Sequence, residues 1–274
     1  MSEITSASIM RAIRTDWPEI VERSKCRPEA LDALPSGTIK ILGSGYKTEK
    51  GRKRGLLTAI CYMAPAGASG RNVCPMATEE CIESCLGVTA GRMVMAPVKA
   101  AMLWKVALRF GHPAWYFALL SRELAAHARK ADRLGLRARV RLDGTSDLGD
   151  AEKICGAHPE IGFYEYTKVH RRAFRWLAAA DRRETANLTA TLSFSGYNWA
   201  ECEEYLRAGG CVAVASDLRK GEPKPAELYG FPTVNGDRDD NRFDDPAGHV
   251  VLLSWKGPRV NLASAGPFAV RISA

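Results

Sequence analysis

The feature that most constrains the fold is an alternation of short apolar runs and helical stretches between residues 139 and 256. Each apolar run has the length of a strand and closes with polar residues. Such alternation is typical of parallel sheets whose strands are joined by helices, so the fold class is α/β. Together with one earlier run, seven strands are predicted, at residues 56–63, 139–144, 162–168, 187–195, 210–217, 231–237 and 250–256.

Seven such strands suit a partial or complete (β/α) barrel of the TIM type, which we expect residues 37–274 to form as a single domain. A doubly wound parallel sheet is the alternative architecture. Residues 1–36 carry mixed helical patterns and are expected to form a helical N-terminal extension. A chain of 274 residues is long enough to bury a large core in this way.

The first ten residues contain no basic stretch followed by an apolar region, so we expect no secretory signal. No apolar run approaches the ~18 residues of a membrane span, so no membrane partner is expected. We therefore expect a cytoplasmic protein whose eight cysteines stay reduced. In that compartment, clustered cysteines favour metal chemistry over a disulfide framework.

Three cysteines lie close together in a loop that follows the first of these strands. Cys74, Cys81 and Cys85 have the spacing C-x6-C-x3-C. Free cysteines in a core are usually scattered singly, whereas thiols gathered in one loop are typical of a metal or cluster site. The metal would be an iron–sulfur cluster or Zn2+, the latter with Cys61 as a further ligand. A disulfide and unrelated free thiols are the remaining interpretations.

The carboxyl ends of parallel strands meet at one edge of a sheet, and the cysteine loop belongs to that edge. Polar residues also follow most of the other predicted strands. Among them, Asp143, Lys168 and Asp237 are candidate catalytic residues. Lys168 could bind an anion or act as a base. Turn formation and solvation explain any single one of these residues equally well, so the hypothesis depends on their convergence.

A basic segment at residues 47–54 precedes the first of the seven strands, in a chain with 39 Lys and Arg against 31 Asp and Glu. It is either a solvated hairpin tip or a loop that contacts phosphates. In the second interpretation, Lys47, Arg52, Lys53 and Arg54 bind nucleic acid or another anionic partner.

Several classes of site find no support in the sequence. The histidines form no HExxH pair, and no GxGxxG, GxxxxGK[ST] or Gly-x-Ser-x-Gly motif occurs. The acidic run at residues 237–245 lacks the order of a calcium loop. Because this run also contains Arg238 and Arg242, internal ion pairing is expected for it.

Several of these motifs together resemble a family of phage-encoded proteins, the gene-product-88 domain family. The resemblance spans about residues 40 to 270 and includes the cysteine loop. It is carried further by the segments 141–147, 163–168, 192–195 and 235–246. It implies a phage or prophage origin, a place in the host cytoplasm, and work on nucleotides, nucleic acid or proteins.

The layout also looks like that of radical S-adenosylmethionine enzymes. Those use a partial (β/α) barrel in which three cysteines after the first strand hold a [4Fe-4S] cluster with one iron left open. This resemblance implies that Cys74, Cys81 and Cys85 ligate the cluster. It further implies that residues at the strand ends contact S-adenosylmethionine or substrate, namely Gly144, Thr145, Ser146, Asp147, Ser193 and Ser195.

Three hypotheses therefore stand. The first is an iron–sulfur barrel enzyme acting on a nucleotide, nucleic acid or protein. The second is a zinc-stabilised module without catalysis that binds nucleic acid or a host protein. The third is a metal-free polar pocket formed by strand-end residues such as Asp143, Asp147, Lys168 and Asp237.

Overall fold

The computed structural model describes residues 5–89, 91–181, 187–256 and 258–272, with the side chains of residues 46, 47, 181, 259 and 260 excepted. Its strands form one mostly parallel sheet in the spatial order β1-β2-β3-β4-β5-β6-β9-β8-β7, with β10 beside β6. The strands are β1 Leu42–Gly43, β2 Leu56–Cys61, β3 Arg137–Arg141, β4 Ile161–Thr167, β5 Leu188–Ser193, β6 Cys211–Ser216, β7 Glu227–Leu228, β8 Phe231–Asn235, β9 Val250–Ser254 and β10 Ala269–Val270.

The α/β class and all seven predicted strands are confirmed, as β2 to β6, β8 and β9. The short strands β7 and β10 were not predicted, because two-residue strands carry no periodicity. Strands β1 to β6 lie side by side in chain order, whereas a doubly wound sheet reverses its order partway. In the described residues the edge strands β1 and β7 do not pair, so the sheet is open and its closure into a barrel remains a prediction.

The helices fall where the apolar periodicity predicts most of them. They are α1 Ser6–Thr15, α2 Trp17–Ser24, α3 Tyr46–Arg52, α4 Glu79–Glu83, α5 Leu86–Thr89, α6 Ala96–Gly111, α7 Pro113–Arg133, α8 Ala151–Ile154, α9 His170–Asp181 and α10 Trp199–Arg207. Short 3-10 helices occupy Pro28–Ala33, Gly91–Val94, Cys155–Ala157, Arg259–Leu262 and Gly266–Phe268. Among the described helices, none combines the length and apolar character of a membrane span.

The segment expected as a hairpin tip or loop at residues 47–54 is instead mostly helical, as α3. Its N-terminus is fixed by Thr48, whose hydroxyl accepts the Gly45 N–H at 2.8 Å. Lys50 and Arg52 fall in its last turn, where basic side chains favour the helix dipole. A local cap and charge pattern thus favours a helix over a hairpin.

The register divides the sheet into two chemically different faces. Neighbouring parallel residues point the same way, and successive residues point to opposite faces. One face carries Leu57, Val140, Phe163, Leu192 and Val214, which belong to the main hydrophobic core together with the helices. We call this the outer face. The opposite or inner face carries polar and small residues, among them Thr58, Arg139, Arg141, Tyr164, Tyr166, Thr191, Ser193, Ala213 and Ala215.

The inner face is covered by residues 236–249, which connect β8 to β9 and which we call the crossover segment. Because β8 and β9 are parallel, the segment must return from the carboxyl edge of the sheet to its amino edge. On the way, Asp240 contacts Arg141 at 3.4 Å and Asp244 contacts Arg139 at 3.2 Å. The expectation of internal ion pairing is confirmed by Arg242, which pairs with Asp239 at 3.5 Å and Asp245 at 3.0 Å. Most of the other partners of the acidic run lie on other elements.

The N-terminal helices are part of the same core. Ile9 and Ile13 of α1 and Trp17 and Ile20 of α2 are buried in the main hydrophobic cluster. The backbones of α2 and α6 come very close, because a methyl group added at Gly111 would lie 2.0 Å from the Ile20 carbonyl oxygen. The domain boundary at residue 36 remains a prediction.

Candidate functional site

A cavity of about 660 Å³ opens at the carboxyl edge of the parallel strands. Its floor consists of inner-face residues at the ends of β3 to β6 and β9, and its walls come from the loops beyond them. The lining includes Tyr62, Cys74, Cys81, Ser84, Cys85, Arg92, Arg141, Asp143, Gly144, Thr145, Ser146, Asp147, Tyr166, Lys168, Ser193, Ala215, Asp240, Trp255, Lys256 and Phe268. This is the edge at which parallel α/β sheets place their sites.

All three cysteines of the loop line this cavity, as free and partly exposed thiols. Cys74 follows a turn and accepts the Ala66 N–H at 3.4 Å. Cys81 lies in α4, which begins after Thr78, and Cys85 follows that helix. Burial, together with the nearby Cys85 and Cys81, raises the pKa of the Cys74 thiol to about 12, although the Ala66 N–H acts in the opposite direction. Burial also raises the pKa of Cys85, although Lys168 acts in the opposite direction.

The three thiols lie on one wall of the cavity but do not surround a common point at which a metal could bind. In the described ranges, no group of three or more His, Cys, Asp or Glu side chains has the arrangement of a metal site. Cys61, considered as a further zinc ligand, lies on the outer face among core residues and contacts the Tyr116 hydroxyl at 3.9 Å. Binding of a metal or cluster by the cysteine loop would therefore require its side chains to reorient.

Ser84 is a residue that the sequence analysis missed. It lies between Cys81 and Cys85, lines the cavity and is buried, yet its hydroxyl has no hydrogen-bond partner in the part of the chain that the structure describes. An unpartnered buried hydroxyl costs about 1–3 kcal/mol. Its position therefore marks a place where a ligand could supply an acceptor.

The predicted catalytic residue Asp143 is held by its own loop. Its carboxylate accepts the Ser146 hydroxyl at 2.6 Å and the N–H groups of Leu148 at 3.0 Å and Gly149 at 2.7 Å. Burial raises the pKa of Asp143, and these hydrogen bonds act against that rise. These contacts are those of a carboxylate that shapes the loop at residues 143–149, while its catalytic role remains a prediction.

Asp147 joins this loop to the end of β4. Its carboxylate accepts the Thr167 hydroxyl at 2.7 Å and the Lys168 N–H at 2.8 Å, and it pairs with Arg172. Thr145 is similarly tied to the end of β2, because its hydroxyl donates to the Met63 carbonyl at 2.5 Å. Asp147 and Thr145, which were predicted to bind a cofactor, therefore fix the position of the loop at residues 143–149.

Gly144 is needed for a close backbone approach. Its N–H donates to the Cys61 carbonyl at 2.9 Å, and a methyl group added here would lie 2.6 Å from that oxygen. Any larger residue would push the loop at residues 143–149 away from β2. The cavity wall that this loop forms would then move.

Lys168 extends into the cavity with its ammonium 5.5 Å from the centre of the Phe268 ring. No carboxylate of the described residues lies within 4 Å of that ammonium. Ser193 also lines the cavity. Ser195 does not: its hydroxyl donates to Asn198 at 2.9 Å, near the start of α10.

Asp237 lies behind the cavity wall rather than in its lining. It accepts the Ser254 N–H at 2.8 Å and pairs with Lys224 at 3.1 Å and Lys256 at 3.0 Å. Burial opposes ionisation, but Lys256 and the Ser254 N–H outweigh it, so the pKa of Asp237 lies well below its usual range. Asp237 thus holds Lys256, which does line the cavity.

Arg141 and Asp240 form a further part of the site that the sequence analysis missed. Arg141 lies over the Tyr166 ring, 5.2 Å from its centre, and pairs with Asp240, which also accepts the Tyr164 hydroxyl at 2.8 Å. The sequence did carry a signal for this part of the site. Arg139 and Arg141 are two residues apart in a strand, so both side chains must lie on the same face of the sheet.

Of the predicted nucleic-acid residues, Arg52, Lys53 and Arg54 do not line the cavity. Arg54 pairs with Asp239 of the crossover segment, and Arg52 pairs with Glu49 at 3.4 Å. Lys53 is exposed, and the side chain of Lys47 lies outside the described residues. Part of this positive charge is therefore paired with acidic residues of the protein. Binding of the segment to nucleic acid remains a prediction.

Comparison with known proteins gives one match. The family model described as Gene product 88 matches residues 40–266, which include strands β1 to β9, the cysteine loop and the crossover segment. No curated protein and no solved structure matches the chain. The resemblance found in the sequence motifs is thereby confirmed, and the chain belongs to the phage Gene product 88 family.

Proposed function

We propose that this protein is an iron–sulfur enzyme of the partial (β/α)-barrel type, similar to radical S-adenosylmethionine enzymes, that works in the host cytoplasm. The observation that carries the proposal is the position of three free thiols on one wall of a cavity at the carboxyl edge of the strands. Cys74, Cys81 and Cys85 would hold a [4Fe-4S] cluster. The substrate would be a nucleotide, nucleic acid or protein group that enters the cavity.

The donor set fits such a cluster. Three thiolates leave one iron with an open position, which a reactive cluster needs. The unpartnered Ser84 hydroxyl lies between two of the ligands and could donate to a cluster or thiolate sulfur. The raised thiol pKa values of Cys74 and Cys85 imply that metal loading releases protons and strengthens as the pH rises. When bound, the cluster would supply a one-electron reductant.

The chain's own residues would form the rest of the site. The loop at residues 143–149, fixed by Asp143 and Asp147, would make the wall beside the cysteines, since the Cys74 thiol lies 3.7 Å from the Thr145 carbonyl oxygen. This loop would contact S-adenosylmethionine. Arg141 and Lys168 would orient charged groups at the floor. Trp255 and Phe268 would limit access of water, because their rings line the cavity.

Anaerobic reconstitution tests the proposal. Protein loaded with iron and sulfide without oxygen should bind about four of each and show a broad visible absorbance band. Single substitutions Cys74→Ala, Cys81→Ala and Cys85→Ala should each abolish that band. The matched control is Cys211→Ala, since Cys211 is also partly exposed but lies at the start of β6, at the amino edge.

The same measurement separates the alternatives. Zinc in place of iron in protein purified without oxygen would favour the structural zinc module, and absence of both metals after reconstitution would favour the metal-free pocket. Either result would overturn the iron–sulfur proposal. Addition of S-adenosylmethionine to the reduced, loaded protein should change its electron paramagnetic resonance spectrum. An unchanged spectrum would contradict the assignment of that cofactor.

A further inference from the structure

We propose that the cavity binds the phosphate group of a small-molecule substrate through Lys168 and Ser193. This deepens the proposed function and rests on it for the reaction, but not for the binding itself. The polar groups of the cavity lining divide into those already engaged by the protein and those that remain available to a ligand.

The carboxylates around the cavity are engaged by the protein. Asp143 accepts three hydrogen bonds from its own loop, and Asp147 accepts two and pairs with Arg172. Asp240 is held by Arg141 and the Tyr164 hydroxyl. The lining therefore presents little free negative charge to an incoming molecule.

Lys168 and Ser193 contrast with these carboxylates. Thr167 pairs with Leu192 across β4 and β5, so the next residues, Lys168 and Ser193, follow side by side on the inner face. Across the described chain, neither the Lys168 ammonium nor the Ser193 hydroxyl has a hydrogen-bond or ion-pair partner. A cation and a hydroxyl donor without acceptors form a site for an anionic group.

The position of Lys168 is fixed although its ammonium is unpaired. Asp147 accepts the Lys168 backbone N–H at 2.8 Å, and the Phe268 ring lies 5.5 Å from the ammonium. The site is thus built into the end of β4.

The donor types favour phosphate over carboxylate. A planar carboxylate is matched best by the two-pronged guanidinium of an arginine, but the guanidinium of Arg141 is already paired with Asp240. Lysine acts as a point charge and, with a hydroxyl beside it, suits a tetrahedral oxyanion that accepts from several directions. The cavity of about 660 Å³ has the size of a small-molecule site.

Isothermal titration calorimetry with inorganic pyrophosphate tests the inference. It should be performed on metal-free wild-type protein and on the variant with Cys74→Ala, Cys81→Ala and Cys85→Ala, so that binding does not depend on a cluster. Pyrophosphate should bind both, and Lys168→Ala should weaken binding at least about tenfold, as expected for a charged hydrogen bond. Ser193→Ala should weaken it several-fold.

The matched control is Lys130→Ala, which removes an exposed lysine from the end of α7. It should leave pyrophosphate binding unchanged. Acetate and methionine serve as carboxylate probes and should bind much more weakly. The inference is overturned by absent pyrophosphate binding, by binding that ignores both Lys168 and Ser193, or by equal binding of carboxylates. Iron loading of wild-type protein is measured separately, so the two proposals can fail independently.

Discussion

At the scale of single residues, the site is defined by which polar atoms have partners. Asp143 and Asp147 have their carboxylate oxygens engaged, whereas the Ser84 hydroxyl has no hydrogen-bond partner in the described part of the chain. The spacing C-x6-C-x3-C, longer than the C-x3-C-x2-C usual in radical S-adenosylmethionine enzymes, accommodates the short helix α4 between Cys74 and Cys85. The buried position of Ser84 is a consequence of that helix, because the C-terminal turn of α4 directs the serine side chain inward.

If Cys74, Cys81 and Cys85 hold the proposed cluster, Ser84→Ala should shift its reduction potential to a more negative value. Loss of one hydrogen bond to sulfur, worth about 1 kcal/mol, corresponds to roughly 40 mV for one electron. Iron content should stay at the wild-type level. A redox titration followed by electron paramagnetic resonance measures the shift. Ser264→Ala, at an exposed serine, is the control, and equal potentials in all three proteins would contradict the assigned role.

The lowered pKa of Asp237 predicts a pH-dependent contribution to stability. A carboxyl whose folded pKa lies below its ordinary value of 3.8 stabilises the fold fully above that value. The contribution is lost as the pH falls toward the folded pKa. Asp237→Asn should therefore be less stable than wild type at pH 7, and the difference should shrink below about pH 4.

Urea unfolding at several pH values between 7 and 2 measures this difference. Asp32→Asn, at an exposed position, should show no comparable trend. A difference between Asp237→Asn and wild type that stayed constant with pH would mean that the ion pairs with Lys224 and Lys256 do not stabilise the fold.

At the scale of elements, the crossover segment and β3 depend on each other. Arg139 and Arg141 would be costly on a sheet face without acids, and the aspartates of the segment would be costly in the interior without arginines. The Arg141–Asp240 pair has side chains only 11% and 7% exposed. The Arg137–Asp244 pair on the same strand has an arginine that is 61% exposed.

Substitution Arg141→Met should lower the free energy of unfolding by about 3–5 kcal/mol, because it leaves Asp240 buried without its cation. Arg137→Met is the matched control and should cost less than about 1 kcal/mol, since exposed pairs contribute little. Adding Asp240→Asn to Arg141→Met should restore part of the loss. Urea unfolding checks all three, and equal losses for the two arginines would refute the difference in burial as the cause.

An element can be predicted from the sequence when the interactions that form it are between residues close together in the chain. Strand and helix periodicity is local, so β2 to β6, β8, β9 and the long helices could be predicted. Helix α3 was missed because its charge run resembles a solvated loop. The path of the crossover segment was also missed, because it depends on pairs such as Arg141 with Asp240, which are far apart in the chain.

At the scale of the whole molecule, the helices pack on the outer face and the crossover segment covers the inner face. The N-terminal helices join this arrangement through α6. The close approach at Gly111 requires a residue without a side chain, because the carbonyl of Ile20 occupies the space.

Substitution Gly111→Ala should separate α2 from α6 and lower the free energy of unfolding by about 1–3 kcal/mol through overpacking. Amide hydrogen exchange in α1 and α2 should accelerate relative to that in β4 and β5. Gly156→Ala is the control, because nothing lies within 4 Å of the added methyl group. Unchanged exchange in the N-terminal helices would show that they do not depend on this contact.

The sequence by itself determined the α/β class, the seven parallel strands and the family, because periodicity and motif order are properties of neighbouring residues. It also placed Cys74, Cys81, Cys85 and Lys168 at one edge, since the carboxyl ends of parallel strands meet there. Only the tertiary structure decided that the carboxylates of Asp143 and Asp147 are engaged by the protein. In the residues that the structure describes, the Lys168 ammonium and the Ser84 hydroxyl have no hydrogen-bond or ion-pair partner. That distinction depends on burial and on partners brought from distant parts of the chain, which no local pattern encodes.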